Sequence, residues 1–371
     1  MLDDKNHLER MLNPLMRIYD ITISEFLQDD FFSAKSGQKK SRPWRAKKMA
    51  NEMLSIAYDS VDKSKADRLR ACASSLTFRR YDDGSMKLDS MNSCRVRLCP
   101  MCAWRRSLRN FYNNLAVARY LDAQPQGGAW LALTLTVKSV DGESLSKSLD
   151  MLFYAFKKLF LQKRVKPLVK GFYRGLEVTH DCEEYISRAS YQRRKKWLDE
   201  QGLSVGDKNP TFDLYHPHFH VLIHVSKSYF SDSRLYMSTA AWAEAWRQAL
   251  GVDYTPSVKV QRVKSFGAGG TAGAVAEISK YSVKDADYIC PTDWDLTVDT
   301  VRVLDQALAN RRLIAYGGDC RDAKKALALA DADTGDLVAV SDDGGTDEGR
   351  AYTLETYFWR TGYSQYVKGD I

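Results

Sequence analysis

Long apolar runs are missing from this chain. No stretch of eighteen consecutive apolar residues occurs, which excludes a membrane-spanning helix. The first residues, MLDDKNHLERML, are acidic and mixed where a secretory signal would be basic and then apolar. A cytoplasmic protein with no membrane partner is therefore expected. No GxxxxGK[ST] segment is present, which removes the phosphate loop of helicases and related motors. No internal repeat is visible, so solenoids and propellers are excluded. Cysteine is sparse at seven in 371 residues, too few for a disulfide scaffold. Histidine is sparser still at six, so any clustering of it is informative.

What is present is ordinary in bulk and uneven in place. Hydrophobic residues make up 44% and charged residues 27%, enough for a real core spread over two or three domains. The net charge of +8 hides an asymmetry. Lys35 to Arg109 holds 19 basic and 7 acidic residues, whereas Asp285 to Arg350 holds 7 and 15. The positive field lies in the N-terminal third, where it can follow a phosphate backbone.

The pattern predicts a partly helical leader over 1–66, a basic cysteine-rich element over 67–110, a body of alternating strands and helices over 111–290, and a C-terminal region with an acidic tail over 291–371. Ala129–Val137 alternates, with Leu131, Leu133 and Leu135 on one face, and reads as a half-buried strand. Ser144 to about Arg164 is an amphipathic helix. Gly171–Thr179 and His218–Val225 are further strands, separated by a polar, partly helical insertion over 180–215. STAAWAEAWRQAL is a helix, PSVKVQRVK a strand and AVAEISKYSVKDADYI another helix. Strands that pair largely antiparallel with helices between them make an α+β fold.

Four of the six histidines fall at 216, 218, 220 and 224. Side chains two apart on a strand share a face, so His218 and His220 point together while Phe219, Val221, Ile223 and Val225 face a core. Two imidazoles so placed converge on one divalent cation. Glu177 lies opposite the apolar side of its own strand and is the third candidate ligand. His216, before Pro217, and His224, two pleats away, stay outside this set. On the last helix Glu277, Tyr281 and Lys284 are spaced i, i+4, i+7 and lie along one stripe. Tyrosine supplies a nucleophile, glutamate a proton acceptor and lysine a positive charge. Tyr288, seven residues after Tyr281, is the second candidate nucleophile.

Cys99 and Cys102 form a CxxC, with Cys94 five residues earlier and Cys72 as the fourth member. Four cysteines suit a closed structural zinc site, and no thioredoxin-like pattern surrounds them. Arg95, Arg97, Arg105 and Arg106 alternate with these cysteines and are candidate DNA contacts. Cys182, Cys290 and Cys320 are isolated and read as free thiols.

Taken together, CRVRLCPMCAWRRSL, WLALTLTVKSV, GFYRGLEVT, YHPHFHVLIHVSKSYF and AEISKYSVKDADYI resemble the replication initiator (Rep) proteins of small rolling-circle plasmids. These belong to the HUH endonuclease superfamily, and the likeness is to its single-tyrosine branch. It covers roughly residues 69 to 320, including a later RRLIAYGG segment. The resemblance implies a central antiparallel sheet flanked by helices, with an N-terminal zinc-binding element. It implies Mg2+ or Mn2+ on His218 and His220, with Glu177 as a further ligand, and structural Zn2+ on Cys72, Cys94, Cys99 and Cys102. Tyr281 matches the tyrosine that nicks one DNA strand and keeps the 5′-phosphate. Glu277 matches the carboxylate that activates water for closing, and Lys284 a lysine of the same motif. The implied activity is a metal-dependent DNA endonuclease and strand transferase, leaving a 3′-hydroxyl primer. The implied partners are origin DNA, single-stranded or a hairpin at the nick with duplex beside it, and a host helicase. A transposase or mobilisation relaxase would use the same chemistry, and a zinc-stapled regulator without catalysis is the non-enzymatic alternative.

Overall fold

The computed structural model describes residues 44–263, 275, 279, 283–338 and 349–369. Helices α1 (Trp44–Asp59) and α2 (Lys63–Ala71) lead into a hairpin of β1 (Ser75–Tyr81) and β2 (Met86–Met91), followed by the long helix α3 (Pro100–Asp122). Strands and helices then alternate as β3 (Ala129–Thr136), α4 (Gly142–Leu161), β4 (Val169–His180), α5 (Arg188–Glu200), β5 (Tyr215–Val225), α6 (Thr239–Leu250) and β6 (Val258–Val263). The C-terminal part holds α7 (Trp294–Leu308), β7 (Ile314–Gly317), α8 (Gly318–Ala326), β8 (Tyr352–Arg360) and β9 (Gln365–Lys368).

Five strands form the central sheet in the order β6-β3-β5-β4-β7, and every pairing is antiparallel. This bears out the expected α+β class. The alternation explains the layering. Leu131, Leu133 and Leu135 of β3, Leu176 and Val178 of β4, and Phe219, Val221 and Ile223 of β5 bury on one face against α4, α6 and α7. Each such side chain contributes about 1.5–3 kcal/mol by leaving water. The other face carries Trp130, Tyr173 and Leu222 under Leu115, Ala118 and Leu121 of α3 and Ala323 of α8. Glu177, His218 and His220 occupy the end of this second face. One charge breaks the apolar pattern. Arg174 sits on the core side of β4, its guanidinium 4.5 and 4.6 Å from the Phe153 and Phe219 rings, with Nη2 donating to the Arg312 carbonyl at 2.9 Å.

A second sheet has the order β2-β1-β8-β9. Here the expected divisions at 66 and 290 are crossed by the chain itself. β8, from the C-terminal region, pairs with β1 over seven residue pairs from Ser75↔Phe358 to Tyr81↔Tyr352. β7 completes the central sheet, and Lys47 of α1 pairs with Asp285 at 3.1 Å. Composition registered the acidic tail but not the strand that returns from it. Among the described residues no helix is long and apolar enough to cross a membrane.

Candidate metal centres and the tyrosine segment

β4 and β5 pair with Glu177 directly opposite His218 and Gly175 opposite His220. That register is set by the apolar faces on either side, since a one-residue slip would turn the core side chains to solvent. Glu177 Oε2 stands 3.2 Å from His218 Nε2 and 2.7 Å from His220 Nε2, and one ligand atom from each residue lies within 4.8 Å of the others. His218 Nδ1–H donates to the His216 carbonyl at 3.1 Å. With Nδ1 as that donor, Nε2 faces a carboxylate oxygen, an arrangement that needs a proton or a cation between them. The donor set fits a divalent ion. Burial alone would raise the Glu177 pKa, but hydrogen bonds from His218 and His220 and the Lys284 charge overcome it and hold the carboxyl well below its usual range.

Lys284 reaches the same carboxylate from the other side, its Nζ 2.8 Å from Glu177 Oε1. It does so from non-helical backbone, where the spacing predicts helix. Lys284 is extended, with φ −88° and ψ 155°, and Asp285–Asp287 is a single 3-10 turn. Earlier in the segment, the Ser279 N–H donates to the Val275 carbonyl at 2.9 Å. Glu277 and Tyr281 lie outside the described residues. Tyr288, the second candidate nucleophile, is fully buried and its hydroxyl donates to the Leu98 carbonyl at 3.0 Å. Burial pushes its pKa well above the usual value. It is a structural tyrosine, and the extended backbone at Lys284 breaks the helical spacing expected between it and Tyr281.

Cys72, Cys94, Cys99 and Cys102 gather in one buried cluster. Three of their Sγ separations are 3.6, 3.6 and 3.8 Å, and a tetrahedral zinc with sulfur at about 2.3 Å sets its sulfurs about 3.8 Å apart. Backbone N–H groups of Cys94 and Val96 point at the sulfurs of Cys72 and Cys94. The neighbouring thiols hold Cys102 well below its ordinary pKa, whereas burial pushes Cys99 up. Two supporting residues escaped the sequence reading. Asn51 Nδ2 donates to Cys99 Sγ at 3.3 Å, and Lys48 Nζ donates to the Cys72 carbonyl at 2.7 Å. The available signal was a pair of polar residues three apart on the buried face of α1.

The remaining candidates divide. Arg95 is exposed and Arg97 partly so, while Arg106 Nη2 donates to the Val96 and Arg97 carbonyls. Arg105 is 3% exposed, with Nε and Nη2 donating to the Leu337 and Val338 carbonyls at 2.7 and 2.6 Å. Its charge is spent inside the fold, so it leaves the DNA-contact set. His224 pairs with Asp319 at 2.6 Å and packs so closely on Gly128 that any side chain there would meet the ring. His216 lies against Ser139 Oγ at 3.2 Å. Cys182 and Cys290 are joined as a disulfide, not free thiols, whereas Cys320 is free and buried. The two halves are 108 residues apart, a pairing that spacing alone could not indicate.

Residues 85–367 match the family described as replication protein. The chain belongs to this Rep family of replication proteins. A protein rep of Bacillus amyloliquefaciens is 36% identical over 356 residues, covering 90% of this chain and 96% of the relative. One from Bacillus sp. is 40% identical over 291 residues, 74% and 85% of the two chains. One from Streptococcus pneumoniae serotype 2 is 33% identical over 320 residues, 85% and 89%. No solved structure matches. Membership bears out the resemblance to rolling-circle plasmid initiators. The Rep match also runs past the expected end near 320 to Val367 in β9, so it spans both sheets.

Proposed function

We propose that this plasmid replication initiator nicks and rejoins one strand of its origin DNA through a phosphotyrosine. The observation that carries the reading is the in-register facing of Glu177 against His218, with His220 beside them. His218, His220 and Glu177 would hold Mg2+ or Mn2+, which when bound supplies positive charge to a non-bridging oxygen of the scissile phosphate. Lys284 keeps Glu177 ionised. The Tyr281 phenolic oxygen attacks phosphorus, the bond to the 3′-oxygen breaks, and that oxygen takes a proton to become the 3′-hydroxyl primer. Glu277 accepts a proton from water when the tyrosyl ester is later opened. The ester conserves the energy of the original phosphodiester, so rejoining needs no nucleotide.

Cys72, Cys94, Cys99 and Cys102 would hold Zn2+ as a structural closure of the N-terminal element. Arg95, Arg97 and Arg106 contact DNA next to the nick, a host helicase unwinds the duplex and a polymerase extends the 3′-hydroxyl. The test is cleavage of a single-stranded origin oligonucleotide by the full chain. Nicking is expected with Mn2+ and not with chelator, and to be lost in His218→Ala and His220→Ala. Cleavage that survives chelation and both substitutions would overturn the reading. No cleavage in any metal would favour the non-catalytic regulator.

A further inference from the structure

A cleft opens between the cysteine loop and the segment that carries Lys284. Among the described residues its polar side is formed by Arg97, Arg106 and Ser107, and its apolar floor by Leu308, Ile314 and Val283. An apolar floor with a few convergent polar groups is the usual construction of a ligand site. Val283 and Lys284 are adjacent in the chain. Val283 lines the cleft while Lys284 reaches Glu177, so the cleft and the cation ligands lie on two sides of one short segment.

Arg97 is the chemically unusual member. It is only partly exposed, and among the described residues no carboxylate forms an ion pair with it. Asp333, on the same rim, attracts it only at longer range. Burial pulls its pKa below the usual arginine value. Arg106 braces the loop from below through the Val96 and Arg97 carbonyls. A guanidinium taken out of water without a partner is costly unless an anion completes it.

We propose that this cleft binds one unstacked nucleotide of the DNA strand next to the nick, its phosphate on Arg97 and its base against the Leu308, Ile314 and Val283 floor. This rests on the reading of the chain as a protein that works on single-stranded DNA. Phosphate recognition by guanidinium is bidentate and geometric, so lysine is a poor substitute. The strand is thereby held by contacts that the cysteine loop and the tyrosine segment supply jointly.

The test is binding of a fluorescent twelve-nucleotide oligothymidylate to the full chain across a salt series. Arg97→Gln is expected to weaken binding about tenfold at low salt and to flatten the log–log salt slope by about 0.7, the single-strand value for one phosphate. Ala103→Phe, which fills the cleft without removing charge, is expected to weaken binding with the slope retained. Lys158→Gln, an equal loss of charge on α4, is expected to leave both unchanged. Melting curves establish that each variant is folded. If wild type binds and Arg97→Gln binds equally well, or falls no further than Lys158→Gln, the cleft proposal is overturned. If wild type binds no oligonucleotide at all, the underlying DNA reading falls with it. If Arg97→Gln loses affinity for thymidine monophosphate but not for the oligonucleotide, the cleft takes a free nucleotide and the strand proposal is wrong.

Discussion

The cysteine cluster and the glutamate–histidine trio are both metal-type donor sets, yet the fold treats them differently. The four cysteines are all buried, the sulfurs of Cys72, Cys94 and Cys99 receive N–H bonds, and Asn51 and Lys48 brace the cluster from a separate helix. Among the described residues that enclosure is closed, with all four cysteines buried. The trio sits on a sheet face at the end of its helical cover, and its partners are ionic: Lys284 on one carboxylate oxygen and two imidazoles on the other. A closed sulfur site stabilises a fold, whereas an open oxygen and nitrogen site can exchange ligands. On the proposed function, the molecule separates a metal that would organise it from a metal that would act.

The largest expected effect falls on the closed side. Cys99→Ser should abolish zinc binding and cost the N-terminal element its stability by several kcal/mol, because metal affinity at such sites is folding energy. Metal analysis with a thermal melt reads this directly. A variant that keeps its melting temperature would mean that the cysteines are only core residues.

On the open side, Glu177→Gln should raise the Mn2+ concentration needed for half-maximal nicking by about tenfold or more and lower the melting temperature at neutral pH by less than Cys99→Ser does. If that substitution unfolds the chain instead, the contrast between the two centres is lost.

A smaller effect belongs to the covalent link. Cys182 and Cys290 tie the end of β4 to the segment just after Lys284. Replacing both with serine should lower stability by about 2–4 kcal/mol and leave zinc content unchanged. Reductant added to the native chain should reproduce the shift. Zinc released by the double variant would show that the link supports the cysteine cluster as well.

Much of this contrast was readable in the residues. The period-two pattern of β3, β4 and β5 determines which side chains face the core, so it also places Glu177, His218 and His220 on the opposite face. The CxxC and its two outlying cysteines needed only ligand arithmetic. What escaped depends on contacts distant in sequence. Arg105 looks like its neighbours in the chain, but only the fold brings the Leu337 and Val338 carbonyls to it. Tyr288 shares a helical period with Tyr281, yet Lys284 between them is extended and the phenol turns toward Leu98. The Cys182–Cys290 link and the β1–β8 pairing join segments more than a hundred residues apart, which no local pattern records.

The central claim is that Tyr281 is the nucleophile served by the open metal site. The most direct measurement is mass spectrometry of the chain after incubation with Mn2+ and a single-stranded origin oligonucleotide under denaturing quench. A DNA fragment attached through its 5′-phosphate to the Tyr281 peptide, and absent from Tyr281→Phe, is the predicted result. An adduct on any other residue, or one that persists in Tyr281→Phe, would contradict it.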